Sequence, residues 1–171
     1  YDLPERRNLE LKKKYKVAHM LSGLTDSSGS APTRRLMEIL EGYKRDYFDP
    51  YVWESKQFWD VRGGKKERKT LTRLRELKIP IFGSSSEFKI LEHAKKLVKQ
   101  IEDEEIDILV LHQSFMVHLF VQHLTKVPLI IFMEHGDYSF HAPLDCLITS
   151  HHAQAERIAP LFEAQGTQVI A

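Results

Sequence analysis

The chain has 171 residues, of which 42% are hydrophobic and 29% are charged, and this balance excludes a disordered or collagen-like protein. The formal net charge of +1 removes the broad electrostatic reason to expect nucleic acid as a partner. No apolar run approaches the ~18 residues of a membrane-spanning helix, and the polar residues 1–14 do not resemble a signal peptide. The single cysteine, Cys146, excludes an internal disulfide and fits a reducing compartment, so we expect a cytoplasmic protein.

Short apolar runs alternate with longer amphipathic segments along the chain. Seven of these runs predict strands, at residues 16–21, 50–53, 79–82, 106–111, 128–132, 145–149 and 167–171. Five of the intervening segments predict helices, at residues 32–42, 67–77, 87–103, 115–124 and 152–165. This alternation predicts an α/β fold over residues 15–171: a doubly wound, mostly parallel, seven-stranded Rossmann-like sheet with helices on both faces. Residues 1–14 are expected to form an N-terminal tail or a helix outside the sheet.

Individual residues support several of these boundaries. Pro32 is favoured in the first turn of a helix, and Pro80 indicates a strand at the edge of the sheet. Ser84 and Glu87 match a capping box at the start of the third helix, whose apolar residues recur at helical spacing. Gly166 is expected to end the last helix.

A ligand site in an open α/β sheet is expected outside the carboxyl ends of the strands, where the strand order reverses. The loop after the first strand contains Ser28, Gly29 and Ser30 and leads into a helix N-terminus, where backbone N–H groups and the helix dipole favour an anion. These residues are therefore candidate phosphate- or substrate-binding residues, although the loop has neither the dinucleotide-binding glycine fingerprint nor a Walker sequence. A connection that binds nothing is the alternative interpretation.

Two histidines directly follow apolar strands at the same predicted edge of the sheet. His135 precedes Gly136 and can hydrogen-bond a substrate hydroxyl or accept a proton near neutral pH, which makes it the candidate catalytic residue. His112 follows the fourth strand in the same way and is a candidate substrate-binding residue. For both histidines, a purely structural role is the alternative.

The other histidines do not predict a metal site. His118 and His123 are five residues apart on a helix and so lie on different faces, and the adjacent His151 and His152 also diverge. One cysteine cannot build a structural zinc site, so we expect no metal.

Two further features favour structural explanations. The basic run Arg62–Arg75 lacks interleaved aromatic residues, so it indicates a solvated helix face, with contact to an anionic membrane surface as the second interpretation. Cys146 lies inside an apolar run and is expected to be a small buried side chain rather than a nucleophile.

Several motifs together resemble the N-terminal domain of GT-B glycosyltransferases, which use nucleotide-activated sugars. The resemblance extends over about residues 16–171 and begins with the strand KVAHML and the loop containing Ser28-Gly29. The segment DILVLH, which ends at His112, is similar to the family's D-I-V-H-x-H. The segment PLIIFMEHGD is similar to P-x-I-x-T-x-H-D, and DCLITS is similar to D-x-V-I-x-x-S.

The resemblance implies two Rossmann-like domains that face each other across a cleft, with residues 15–171 as the acceptor-side domain and the C-terminal donor domain absent. It implies transfer of a sugar from a nucleotide-sugar donor to a carbohydrate, lipid or protein acceptor in glycan or polysaccharide synthesis, without a cofactor or metal. Ser28 and Gly29 match a Gly-Gly pair that approaches the donor phosphates, with serine replacing the first glycine. His135 matches a histidine that contacts the transferring sugar or assists catalysis, and His112 matches the second histidine of the fourth-strand motif.

Glycosyl transfer needs a stabilised leaving group and a closed cleft, so this chain alone is predicted to fold but to be inactive or nearly so. A domain of a sugar-nucleotide epimerase on the same architecture is the alternative enzyme. A non-catalytic Rossmann-like or flavodoxin-like binding module, with flavin suggested by Thr25 and the serine-rich loop, is the alternative from another class.

Overall fold

The computed structural model describes residues 4–24, 30–55, 69–83, 89–113, 115–134, 144–149, 152–164 and 166–170. Its strands are β1 (Tyr15–Leu21), β2 (Phe48–Glu54), β3 (Ile81–Gly83), β4 (Ile108–Leu111), β5 (Leu129–Met133), β6 (Cys146–Ile148) and β7 (Gln168–Ile170). Its helices are α1 (Ala31–Glu41), α2 (Lys69–Glu76), α3 (Ile90–Asp103), α4 (Met116–Leu124) and α5 (His152–Glu163).

The strands form one sheet in the order β3-β2-β1-β4-β5-β6-β7, and every neighbouring pair is parallel. The predicted doubly wound sheet is therefore confirmed. The strand order reverses between β1 and β4, which are in register with Met20 opposite Leu111. A flavodoxin-like sheet would place β1 between β2 and β3, whereas here β1 lies between β2 and β4, so the order is that of a Rossmann-like sheet.

Helices cover both faces of the sheet. Successive strand residues point to opposite faces, so each strand contributes side chains to both helix layers. On one face, strand residues pack against α3, α4 and α5, as shown by the cluster of Met20, Leu109, Ile130, Leu97, Val121 and Phe162. On the other face, strand residues pack against α1 and α2, as shown by the cluster of Leu21, Val52, Leu36, Leu40 and Leu74. This arrangement confirms the helices predicted on both faces.

The predicted start of the third helix is wrong. The helix α3 begins at Ile90, because Lys89 has an extended backbone (φ −97°, ψ 96°) and caps the helix without a side-chain hydrogen bond. Ser84 and Glu87, the two residues of the predicted capping box, lie outside the described residues. Ile90 is also exposed, although the helical spacing had placed it on the buried face.

Three of the boundary signals are confirmed. Pro32 lies in the first turn of α1, and the short strand β3, which follows Pro80, is an edge strand. Gly166 has a φ of +82°, and its backbone nitrogen donates to the Glu163 carbonyl at 2.9 Å. Glycine adopts this left-handed conformation without a steric penalty, so it ends α5 at low cost.

Residues 4–14 contain neither helix nor strand and lie along the amino ends of β4, β5 and β6. Arg6 pairs with Asp145, which precedes β6. Arg7 donates from its backbone nitrogen to the Lys126 carbonyl at 3.0 Å. Lys12 pairs with the buried Asp107, which precedes β4, at 2.6 Å. We call residues 4–14 the N-terminal segment.

None of the helices in the described part of the chain combines the length and the apolar character that crossing a membrane requires.

Candidate functional site

The sheet brings the predicted site loops to one edge. The strands β1, β4 and β5 are adjacent and parallel, so the loops that follow them leave the carboxyl edge side by side. Ser28, Gly29 and His135 lie outside the described residues, whereas Ser30 and His112 lie within them. The roles assigned to all five residues stay predictions.

Ser30 is the N-cap residue of α1. Its hydroxyl oxygen accepts from the Thr33 backbone nitrogen at 3.5 Å and lies 3.0 Å from the Thr33 hydroxyl oxygen. Ser30 thereby satisfies one of the backbone donors that a helix N-terminus leaves without an intrahelical partner. The structure thus gives Ser30 a capping role at the helix end for which an anion was predicted.

His112 is buried at the carboxyl end of β4 and belongs to a chain of three hydrogen-bonded rings. Its Nε2 lies 2.9 Å from Nδ1 of His19, and Nε2 of His19 lies 2.8 Å from the hydroxyl oxygen of Tyr43. His19 lies in the middle of β1, and Tyr43 lies just after the end of α1. Burial lowers the pKa of His19 to about 3, so its ring is neutral at physiological pH. We call Tyr43, His19 and His112 the ring relay.

Two side chains from neighbouring strands hold the beginning of the loop that follows β1. The backbone nitrogen of Ser22 donates to Oε1 of Gln113 at 2.7 Å, and that of Leu24 donates to Oε1 of Glu54 at 2.7 Å. Gln113 follows β4 and Glu54 ends β2, so the loop is fixed from both sides. This anchoring positions the backbone that leads into the predicted phosphate-binding residues.

A second buried polar chain connects β2, β4 and α4. The Ser55 hydroxyl oxygen lies 2.8 Å from Nε2 of His118, and Nδ1 of His118 lies 2.6 Å from the Gln113 carbonyl oxygen. A carbonyl can only accept, so Nδ1 of His118 carries a proton; with this single ring proton, Nε2 is the acceptor for the Ser55 hydroxyl. His93 of α3 in turn donates from Nε2 to the Ser55 carbonyl.

The serine–histidine pair has the spacing of a nucleophile and its general base, but it is inaccessible. Ser55 is 0% exposed and His118 is 1% exposed, so no substrate carbonyl can reach the hydroxyl in this arrangement. The chemistry that the pair supports here is hydrogen bonding, which holds α3 and α4 to the carboxyl edge.

An apolar cavity of about 450 Å³ lies on the face of the sheet that carries α1. His19 and Tyr43 bring the ring relay to its wall. Much of its lining is apolar and comes from α1 and five strands: Val17, Ile39, Phe48, Val110, Ile131 and Ile148. The ring relay therefore extends from this cavity to His112 at the carboxyl edge.

Several residues of this site were not predicted from the sequence. His19 was read only as part of an apolar strand, and Glu54, Ser55 and His118 were given no site role. A usable signal was present in each case, because a polar residue within an apolar strand or helix, or directly after one, must find a partner when it is buried. Glu134 gives the same signal after β5, where its carboxyl group is buried.

Cys146 is a buried free cysteine in β6, as predicted. Burial raises the pKa of its thiol, and the neighbouring Asp145 raises it further, so the less reactive thiol form predominates. Within the described ranges, no group of three His, Cys, Asp or Glu side chains could hold a metal ion. The expectation of a metal-free site stays a prediction.

No protein-family model and no curated protein sequence matches the chain. Among solved structures, it is similar to one titled "Crystal Structure of Glycosyltransferase from Rickettsia africae ESF-5", with a TM-score of 0.64 and 15% sequence identity. The match covers 93% of this chain and 42% of that chain, so this chain spans less than half the length of the Rickettsia protein. At this identity, the similarity shows that the two proteins share a Rossmann-like fold.

Proposed function

We propose that this chain is the acceptor-side domain of a glycosyltransferase that moves a sugar from a nucleotide-sugar donor to an acceptor. The observation that carries the proposal is the parallel seven-stranded sheet, which aligns over 93% of the chain with a protein described as a glycosyltransferase. The order of the sequence motifs supports the same family and the same half of a two-domain enzyme.

The position of the predicted residues supports the proposal on independent grounds. Ligands of open α/β sheets bind beyond the carboxyl ends of the strands at the reversal of strand order. That reversal lies between β1 and β4, and the described residues that flank it include Ser22, Leu24, His112 and Gln113. Ser28 and Gly29 belong to the loop that starts there, which suits an approach to the donor phosphates.

The remaining parts of the mechanism belong to the other wall of the cleft. Departure of a nucleoside diphosphate places negative charge on its phosphate, and preorganised donors must stabilise that charge. The acceptor hydroxyl must also be held at attack distance from the sugar. In the proposed arrangement this chain supplies the acceptor, with His135 as the residue that contacts the sugar or takes the proton. The donor face comes from a second domain.

The proposed setting follows from the same chemistry. The partners are a nucleotide sugar, a carbohydrate, lipid or protein acceptor, and the donor domain, with no metal, cofactor or nucleic acid. The proposed location is the cytoplasm, which the single cysteine fits, with the basic run Arg62–Arg75 as the segment for any peripheral membrane contact.

The test compares this chain with the full product of its gene in assays with a panel of uridine, guanosine and adenosine diphosphate sugars. Release of the nucleoside diphosphate and formation of a glycoside are both measured. We expect turnover by the full product, loss of that turnover in its His135→Ala variant, and little or no turnover by this chain alone.

Three outcomes would contradict the proposal in different ways. Turnover at an ordinary enzymatic rate by this chain alone would refute the acceptor-side assignment. Conversion of the nucleotide sugar into its epimer, without release of a nucleoside diphosphate, would identify the alternative enzyme. No reaction with any donor in the panel would refute the enzymatic proposal.

A further inference from the structure

The helices cover the two faces of the sheet unequally. On the face of α3, α4 and α5, the packed cluster contains residues of every strand from β1 to β7. On the face of α1 and α2, the strand residues of the packed cluster, within the described part of the chain, come from β1, β2 and β3. Ile108, Ile131 and Ile148, which belong to β4, β5 and β6, are half-buried on this second face. This part of the sheet therefore presents apolar side chains to a further apolar group.

The cavity of about 450 Å³ occupies this area, and its size lies in the range of small-ligand pockets. Its lining extends from Val17 and Ile108, which are opposite each other, to Met133 and Ile148, which are also opposite each other. Ile108 pairs with Leu129, and Met133 lies four residues after Leu129 in β5. At ~3.3 Å per residue the cavity therefore extends for ~13 Å along the strands, about the length of an extended decyl chain.

The wall of the cavity suits a hydrocarbon chain. Its two polar rings, His19 and Tyr43, are hydrogen-bonded to each other at 2.8 Å. Both are neutral at physiological pH, because burial lowers the pKa of His19 to about 3 and raises the pKa of Tyr43. A sugar or a nucleotide would lose hydrogen bonds to water along the apolar part of this wall, whereas a hydrocarbon chain has none to lose.

A cation lies at one end of this apolar wall. Lys44 belongs to the lining and lies between α1 and β2, so it is at the amino edge of the sheet. Its side chain is exposed, and no carboxylate of the described residues pairs with it. The nearby Asp49 is already shared by Lys14 at 3.8 Å and Arg45 at 3.6 Å. The described lining contains no acidic residue, so its charge favours an anionic group.

We infer that this cavity binds a single-chain amphipathic anion, with its hydrocarbon chain along β1, β4, β5 and β6 and its carboxylate or phosphate head beside Lys44. The head then lies at the amino edge, whereas the donor and acceptor of the proposed function lie at the carboxyl edge. This ligand is therefore a different one, and its binding does not depend on the proposed function. Burial of the chain supplies most of the affinity, and Lys44 supplies the preference for an anion.

The test is isothermal titration calorimetry of the wild-type chain with fatty acids and with alkyl phosphates, from hexyl to hexadecyl, below their micelle concentrations. We expect one saturable site whose affinity rises by up to about fourfold with each added methylene, the value of burying one such group. The rise should stop near the decyl chain, which fills the cavity. Comparison of the two heads at equal chain length identifies the preferred anion. The absence of saturable binding would overturn the inference, as would an affinity that keeps rising to the hexadecyl chain.

The Ile131→Trp variant tests the location of the site, because Ile131 lies in the middle of the lining and is half-buried. The larger side chain occupies the cavity, so the affinity for decanoate should fall by roughly tenfold or more. Ile81→Trp is the matched control, because Ile81 is half-buried in the edge strand β3, outside the lining. Urea unfolding checks that both variants are folded, and equal affinities in the two would overturn the location. The chain-length series decides the inference even where a variant does not fold.

The Lys44→Ala variant tests the selection of an anion. The affinity for decanoate should fall by about twofold to fivefold, the value of a partly exposed ion pair, whereas the affinity for decanol should not change. Lys99→Ala is the matched control, because Lys99 is exposed on α3, which covers the opposite face of the sheet. Equal affinities of the wild type for decanoate and decanol would refute the anionic head. None of these measurements involves a nucleotide sugar, so their outcome is separate from that of the proposed function.

Discussion

The two edges of the sheet hold their polar groups in opposite ways. At the amino edge, ion pairs join the N-terminal segment to the strands, as in Arg6 with Asp145 and Lys12 with Asp107. At the carboxyl edge, most of the described hydrogen bonds join neutral groups, as in the ring relay and in Ser55 with His118. The ion pairs at the amino edge are partly exposed to solvent, whereas the ring relay and the bond between Ser55 and His118 at the carboxyl edge are largely buried.

Under the proposed function, this difference favours the carboxyl edge as the one that binds a ligand. Partly exposed ion pairs fasten a segment to the surface, and water and salt weaken them. Neutral groups in a buried network keep fixed donor and acceptor directions, which is what preorganised binding requires. The amino edge therefore contributes mainly to stability, and the carboxyl edge holds side chains in fixed orientations. The predictions below test this division.

The largest expected effect is at the amino edge, at the one deeply buried carboxylate among the residues described there. The buried Asp107 accepts from Lys12 and from the Lys16 backbone nitrogen at 2.9 Å, so Asp107→Ala leaves the partly buried Lys16 nitrogen without this partner. We expect a loss of about 3 kcal/mol in the free energy of unfolding, measured by urea denaturation. Asp103→Ala is the control, because its pair with Lys99 is exposed, and it should cost less than about 0.5 kcal/mol. Equal losses in the two variants would contradict the burial argument.

The second prediction concerns how the free energy of unfolding changes when the pH is lowered, through His19 of the ring relay. His19 has a pKa of about 3 when folded and 6.5 as its ordinary value, so below pH 6.5 the unfolded chain binds a proton that the folded chain refuses. Stability should therefore fall with falling pH in this window, by up to ~1.4 kcal/mol per pH unit from this group alone. The measurement is urea unfolding of the wild type and of His19→Gln between pH 7 and about pH 4.5.

Other groups titrate in both proteins and cancel in the difference between them. The stability of the wild type relative to His19→Gln should decrease steadily as the pH is lowered through this range. Parallel pH profiles would show that His19 is charged in the folded protein, which would also remove the basis of the ring relay.

Much of the fold could be predicted because the sheet leaves a strong local pattern. The strand β4 is buried on both faces, and β5 is buried on one face and half-buried on the other, so both read as uninterrupted apolar runs in the sequence. The wrong start of α3 has a local cause as well. The capping-box spacing at Ser84 and Glu87 is short and common, and it says nothing about the extended backbone of Lys89 that precedes the helix.

The site could be predicted only in part, because its contacts join residues that are distant in sequence. The position of His112 at a strand end was a sufficient signal for the carboxyl edge. Its partner His19 is 93 residues away, and the two rings meet only because β1 and β4 pair in parallel. Ser55 and His118 are 63 residues apart and meet through the packing of α4 against the sheet. No spacing rule applied to a single sequence predicts contacts between residues so far apart.

A smaller effect is expected from the second polar chain of the carboxyl edge. Ser55→Ala removes the donor to Nε2 of His118 and leaves that nitrogen buried, which should cost about 1–2 kcal/mol of unfolding free energy. Ser22→Ala is the matched control, since the bond of Ser22 to Gln113 is made by its backbone nitrogen and survives the change. Urea unfolding of both variants should separate them, and indistinguishable stabilities would show that the hydroxyl bond contributes nothing.

The smallest effect gives the sharpest contrast between the edges, because it depends on salt. Arg6 and Asp145 are both partly exposed, so Arg6→Ala should cost only about 0.5–1 kcal/mol at low ionic strength. At ~1 M sodium chloride the Debye length falls to ~3 Å, and this cost should largely disappear. The cost of Ser55→Ala should remain, because a buried bond between neutral groups has no charge for salt to screen. Urea titrations of both variants at the two ionic strengths measure the contrast, and an equal salt dependence would show that the two edges do not differ in the way proposed.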